Sequence, residues 1–215
     1  MSQHTPSEHF SPDEERINVI THGAGAVLSA IAGIVLVGAI WQRGDGWQLA
    51  GTMTFCGTLT LLYLASTLYH ASREPRRRAI LEIFDHSAIF LLIAGTYTPF
   101  TLISLRGTWG WILFGLVWGL ALVGVVMKLF LTGRFRILST LVYVALGWIV
   151  VVAADKVLNA LNPATISLLL AGGIAYTAGT PFYILSRRRY MHNIWHVFVL
   201  LGSLCHFAAV VSIVL

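Results

Sequence analysis

YMHNIWHVFVLLGSLCHFAAVVSIVL, residues 190–215, runs for 26 residues without a Lys, Arg, Asp or Glu. A helix needs roughly 20 mostly apolar residues to cross a ~30 Å hydrocarbon core, so this stretch is long enough to span a membrane. Toward the N-terminus the pattern repeats at 157–186, 137–154, 107–127, 86–105, 46–72 and 17–42, which makes seven charge-free stretches. The chain of 215 residues holds 14 Lys+Arg and 9 Asp+Glu, 11% charged against 57% hydrophobic. Its mean hydropathy is +0.78. Soluble domains carry roughly 25% charged residues, so a soluble globule is excluded. A transmembrane barrel would alternate apolar and polar residues, and LLYLA at 61–65 and FLLIA at 90–94 do not. The sequence therefore predicts an all-α fold: one seven-helix transmembrane domain over 17–215 behind a polar tail at 1–16.

The tail contains Glu8, Asp13, Glu14 and Glu15 and lacks the basic opening of a cleavable signal peptide, so the first helix is expected to stay in place. Cys56 and Cys205 fall inside apolar stretches, which argues against a disulfide framework. Seven spans put the two ends on opposite sides. The N-terminal side carries Arg16, Arg73, Arg76, Arg77, Arg78, Lys128, Arg134, Arg136, Arg187, Arg188 and Arg189; the other has only Arg43, Arg106 and Lys156. Short basic loops stay in the cytoplasm, so the N-terminus is expected inside and the C-terminus outside. Trp41, Trp47, Trp109 and Trp111 then form an outer aromatic belt. The arginines are shared among three short loops, which argues against a nucleic-acid partner and leaves membrane lipids as the expected one. No oligomeric state follows from the sequence. The expected location is the cell (inner) membrane.

Pro99, within GTYTPF at 95–100, is expected to kink the third span. Gly115 and Gly119 in the fourth span, and Gly172, Gly173 and Gly179 in the sixth, are expected to let helices approach closely. The odd number of spans argues against duplicated transporter halves.

Ionisable side chains within membrane spans are costly and mark function by default. His70 near the end of span two, Asp85 at the start of span three, and His192 and His196 at the start of span seven fall in one layer. His192 and His196 are one helical turn apart, ~6 Å, so both imidazoles can reach one metal ion. With His70 they make a three-histidine set with an open fourth position, the pattern of a catalytic zinc site. Zinc brings the pKa of its water to about 7, and Asp85 is the natural general base or water-holder. Ser66, one turn before His70, faces the same way and can hold the water, the Asp85 carboxylate or a substrate carbonyl. Asn18 and His22 share a face of span one, suiting a supporting or gating contact. His86 points ~100° away from Asp85 and is read as packing or support. His206 lies ~15 Å beyond His196, too far to share the ion. His4 and His9 stand in the tail without a role.

SxxxH from Ser66 to His70, FDHSAIFLLIAGTYTPF from Phe84 to Phe100, HNIWHVFVLLGSLCHF from His192 to Phe207 and EERINVITHG from Glu14 to Gly23 closely resemble the bacterial hemolysin III family. That family is the prokaryotic branch of the progestin and adipoQ receptors, among them the adiponectin receptors, and is more distantly related to alkaline ceramidases. The resemblance covers the chain from about Glu14 onward. It implies seven helices, a cytoplasmic N-terminus and Zn2+ held by His70, His192 and His196, with Asp85 and Ser66 around the zinc-bound water. It also implies ceramide-type hydrolysis from the receptor branch, and haemolysis, membrane energetics or fatty-acid sensing from the bacterial one.

Three functions are weighed on this basis. The first is a zinc-dependent hydrolase of a lipid amide or ester. The second is a non-enzymatic membrane sensor or regulator with structural zinc. The third is a pore, for which the nearly uncharged outer halves of the spans offer little lining.

Overall fold

Four helices begin where a short polar side chain caps them. Ser11 accepts from the Glu14 N–H (3.4 Å) while the Glu14 carboxylate accepts from the Ser11 N–H (3.0 Å), a reciprocal capping box that opens α1, Pro12–Ile40. Asp45 and Gln48 form the same device for α2, Gly46–Ala71. Glu74 caps α3, Pro75–Pro99, and Asn162 caps α7, Pro163–Ile184. In α1, α3 and α7 a proline follows the cap, where its missing N–H costs nothing. The remaining helices are α4, Thr108–Leu131, α5, Arg136–Gly147, α6, Ala154–Ala160, and α8, Met191–Val214. This computed structural model describes residues 10–215; His4, His9 and the rest of 1–9 lie outside the described residues.

Among the described residues seven helical stretches are long and apolar enough to cross a membrane, the fifth being α5 and α6 with a 3₁₀ segment, Ile149–Ala153, between them. The sequence-predicted spans match these in number and order, and the structure moves several of their bounds. α1 starts at Pro12, inside the stretch read as tail. α3 starts at Pro75, so Asp85 sits in its third turn and not at its start. Asp155 and Lys156, read as a loop, form an ion pair (2.9 Å) within α6. Each shift has one cause: a helix stops at its cap, whereas a charge marks only where the apolar stretch stops.

Past Pro99 the third span continues as a π-helical turn, Phe100–Ser104, whose wider winding follows the proline's missing donor. The break in span five frees the Gly147 carbonyl and the Val150 N–H. Tyr97 takes both: its hydroxyl donates to Gly147 (2.7 Å) and accepts from Val150 (2.9 Å). Unpaired backbone is expensive at membrane depth, and this one side chain resolves it.

α2 is the most buried span; it packs between α1 and α3, α8 packs on α1 and α7, and α5 bridges α3 and α7. The core runs through Leu36, Phe55, Leu59, Leu62, Leu92 and Val199, with a second cluster around Phe90, Val117 and Tyr143. The glycines of span six pack as expected: an added Cβ at Gly172 would strike His206, and one at Gly179 would strike Trp195 and Phe198. Those of span four do not. Among the described residues nothing stands within 4 Å of a Cβ at Gly115 or Gly119, and the glycines of α4 that meet neighbours closely are Gly110, against the Thr101 and Leu105 carbonyls, and Gly124, against Phe90.

Candidate metal centre

His70 occupies the last turn of α2, and His192 and His196 the first two turns of α8. All three are buried, at 3%, 6% and 1% exposure. The start of α8 is set by the start of α1. Tyr190, which precedes α8, adopts a left-handed backbone (φ 62°), costly for a side chain with a Cβ. The Glu14 carboxylate holds it there by accepting the Tyr190 N–H (2.8 Å), and Asn193 Nδ2 donates to the Glu14 carbonyl (2.9 Å).

The three Nε2 atoms converge. His192 Nε2 lies 3.2 Å from His70 Nε2 and 3.1 Å from His196 Nε2, and one ligand atom from each residue falls within 4.8 Å of the others. The outer nitrogens decide what that means. His70 Nδ1 is 2.6 Å from Glu15 Oε2, and a carboxylate can only accept, so Nδ1 carries the proton and Nε2 presents a lone pair inward. His196 Nδ1 is 3.3 Å from the Thr21 hydroxyl, whose own proton goes to the carbonyls of Ile17 and Asn18 (2.8 and 3.1 Å). Its Nε2 also presents a lone pair. His192 Nδ1 is buried and, among the described residues, without a hydrogen-bond partner.

Two inward lone pairs and a third imidazole at 3.1–3.2 Å form a donor set suited to a cation. Tetrahedral zinc holds imidazole nitrogens at ~2.0–2.1 Å, which sets them about 3.3–3.4 Å apart by simple geometry. The residues present therefore fit a divalent ion with imidazole ligands.

Ser66 is buried one turn before His70, and its side chain engages the Asp85 carboxylate. Asp85 is outside the three-histidine group. Asn18 lies 3.3 Å from His70 Nδ1; because that nitrogen donates to Glu15, the Asn18 amide serves the Glu15 carboxylate, while its oxygen accepts from Asn193 (2.7 Å). His22 stacks flat on His196 at 3.5 Å, and its buried ring nitrogens have no hydrogen-bond partner among the described residues. His86 faces away: its Nε2 meets the Tyr183 hydroxyl (3.3 Å) and its carbonyl accepts from Tyr143 (3.0 Å). His206 pairs with the Leu169 carbonyl (3.2 Å).

Sequence reasoning missed four residues here: Glu15, Thr21, Arg78 and Phe10, whose ring lies 4.7 Å from that of His192 and 5.7 Å from that of His70. A signal for Glu15 was available, since Glu15, Asn18 and His22 recur at i, i+3 and i+7, one helix face. Within the bundle is an apolar cavity of about 120 Å³, lined by Leu62, Leu92, Tyr97, Tyr143, Trp148 and Trp195 among others, and not by the three histidines. Trp195 adjoins His196 in sequence, and the Tyr143 hydroxyl bonds to the carbonyl of His86, the residue after Asp85.

Fold and site together define a seven-span membrane protein with a buried three-histidine centre at one end of its bundle. The chain belongs to the haemolysin-III related family, whose model matches residues 10–207. It is 46% identical to the hemolysin-3 homolog of Bacillus subtilis, over 94% of each chain, and 44% identical to hemolysin-3 of Bacillus cereus, over 94% of this chain and 92% of that one. At 23% identity it also matches the human monocyte to macrophage differentiation factor, over 92% of this chain and 83% of that one. No solved structure matches.

Proposed function

We propose that the chain is a zinc-dependent membrane hydrolase that cleaves a lipid amide or ester, seated with its N-terminus and metal centre on the cytoplasmic side. The observation that carries this reading is the convergence of three Nε2 atoms, two with their lone pairs directed inward by Glu15 and Thr21. His70, His192 and His196 would hold the ion. Bound there, zinc would polarise a substrate carbonyl and make hydroxide available near neutral pH.

The chain's own groups supply the rest. Asp85, steadied by Ser66, takes a proton from the attacking water on a carboxylate oxygen and returns it to the leaving nitrogen or oxygen. One C–N or C–O bond is exchanged for one C–O bond, and water supplies both hydrogens. The apolar cavity suits an acyl chain, and Trp195, which precedes His196 in sequence, stands in its wall. Phe10 over His70 and His192 limits water at the opposite face. The orientation rests on the excess of basic residues at the end holding the N-terminus.

Purified protein incubated with ceramide and with an acyl ester, with and without zinc, tests the reading. Zinc-dependent release of fatty acid that disappears in Asp85→Asn and His196→Ala is expected; absence of zinc-dependent product, or turnover unchanged in Asp85→Asn, refutes it. A second reading, a regulator in which zinc pins helix ends, is favoured by the position of the ligands in the last turn of α2 and the first turns of α8. On that reading metal removal lowers stability and no lipid is cleaved.

A further inference from the structure

Glu15 ties three helices together, its own and two others. It stands in the first turn of α1; its Oε2 meets His70 Nδ1 of α2 at 2.6 Å, and its Oε1 accepts from Arg78 Nη2 of α3 at 2.6 Å. The pair is largely withdrawn from solvent: side-chain exposure is 19% for Glu15, 12% for Arg78 and 0% for His70. Arg78 is itself fixed, its guanidinium 4.4 Å over the Tyr69 ring and its Nη1 donating to the Ser72 carbonyl (3.3 Å). Asn18 gives the carboxylate a further donor.

We infer that Glu15 is the positioning residue of the metal centre: through the His70 Nδ1–H it fixes the tautomer and ring orientation that aim Nε2 at the ion, and Arg78 holds it in that pose. The inference rests on the reading of the three histidines as a metal site. The physical reason is general. An imidazole ligand presents the right nitrogen only when the other one is tied down as a donor, and a carboxylate does this while making the ligand nitrogen more basic. Of the three histidines, His70 has the carboxylate, His196 the weaker neutral acceptor Thr21, and His192 none among the described residues. His70 is therefore the ligand whose geometry the protein specifies most strongly. Arg78 contributes a second effect: one oxygen of Glu15 is occupied by the guanidinium, which leaves only the other for His70 and keeps the carboxylate from turning inward to bind the ion itself.

A merely structural Glu15–Arg78 ion pair would pin α1 to α3 and leave the metal's surroundings unchanged. Cobalt separates the two, because Co2+ adopts zinc-like sites and its visible absorption reports ligand geometry. Wild type, Glu15→Gln and Glu15→Asp, as full-length chains in detergent micelles stripped with a chelator, are titrated with Co2+, and the Co2+ is then displaced with Zn2+. Glu15→Gln keeps the shape of the side chain and removes its charge. It is expected to lose about 10–100-fold in metal affinity and to show a shifted Co2+ spectrum. Glu15→Asp, with its carboxylate drawn back by one methylene, is expected to fall between the two. Wild-type affinity and spectrum in Glu15→Gln overturn the inference while leaving the metal site standing. Should Glu15→Gln fail to fold, an unchanged affinity and spectrum in Glu15→Asp overturn it equally. A wild type that takes up neither Co2+ nor Zn2+ removes the metal reading and this inference with it.

Discussion

Replacing Tyr97 with Phe removes one oxygen and leaves two backbone groups stranded. In the structure that hydroxyl donates to the Gly147 carbonyl at 2.7 Å and accepts from the Val150 N–H at 2.9 Å, across the break between α5 and the 3₁₀ segment. An orphaned buried group costs ~1–3 kcal/mol, which puts the loss at up to ~6 kcal/mol if neither group finds water. Hydrogen bonds measured within membrane proteins average only ~0.6 kcal/mol, so two give a floor of ~1 kcal/mol. Tyr97 is half-buried and lines the cavity, so partial hydration is available and about 2 kcal/mol is expected. Tyr143→Phe is the internal control. Its hydroxyl also donates to a backbone carbonyl, that of His86 at 3.0 Å, but His86 lies inside α3, where the carbonyl keeps its intrahelical partner. That variant should lose less than ~1 kcal/mol. Equilibrium unfolding in mixed detergent micelles, followed by circular dichroism, measures both. A Tyr97→Phe loss below ~0.5 kcal/mol, or one no larger than that of Tyr143→Phe, refutes the claim that Tyr97 holds the break.

Metal analysis of the purified chain should find one zinc per wild-type molecule and less than a tenth of that in His70→Ala or His192→Ala; equal metal content in all three would show the ion to be elsewhere. Gly172→Ala should destabilise by about 1–3 kcal/mol, since the new methyl meets the His206 ring and the Gly202 carbonyl in packing that cannot widen cheaply. Gly115→Ala and Gly119→Ala meet nothing within 4 Å and should be neutral or stabilising by up to ~1 kcal/mol each from helix propensity. Equal losses in all three would refute the open face of α4 at Gly115 and Gly119.

The number of spans was legible because lipid imposes a long apolar run on each of them. Helix bounds were not, because they answer to a different physics. Ser11-Pro12, Glu74-Pro75 and Asn162-Pro163 are start signals written in capping chemistry; the first two lie among charged residues that a search for charge-free stretches discards, and the third lies inside the 157–186 stretch, where such a search does not register it. Asp155 and Lys156 illustrate the converse: two charges ended a stretch on paper, yet they neutralise each other at 2.9 Å within one helix. The span-four glycines failed for a third reason. A GxxxG motif records a smooth face, and whether a neighbour covers it depends on how α4 is rotated, which the spacing of two glycines leaves open.

The centre divides in the same way. His192 and His196 were legible because one turn of helix forces them together, and His70 because topology brings the end of α2 beside the start of α8. In the sequence Glu14 and Glu15 belong to the polar tail, since adjacent acidic residues ahead of an apolar run look like a solvated end. Adjacent positions on a helix point ~100° apart, however, and the two side chains serve different neighbours: the Glu14 carboxylate holds Tyr190 while its backbone carbonyl holds Asn193 at the start of α8, and the Glu15 carboxylate holds His70 at the end of α2 and Arg78 at the start of α3. One turn of α1 thereby sets both halves of the histidine set. A centre assembled this way lies where helices begin and end, and its geometry depends on caps, tautomers and carboxylate contacts. Hydropathy locates the bundle around such a centre and passes over the polar turn that aims it.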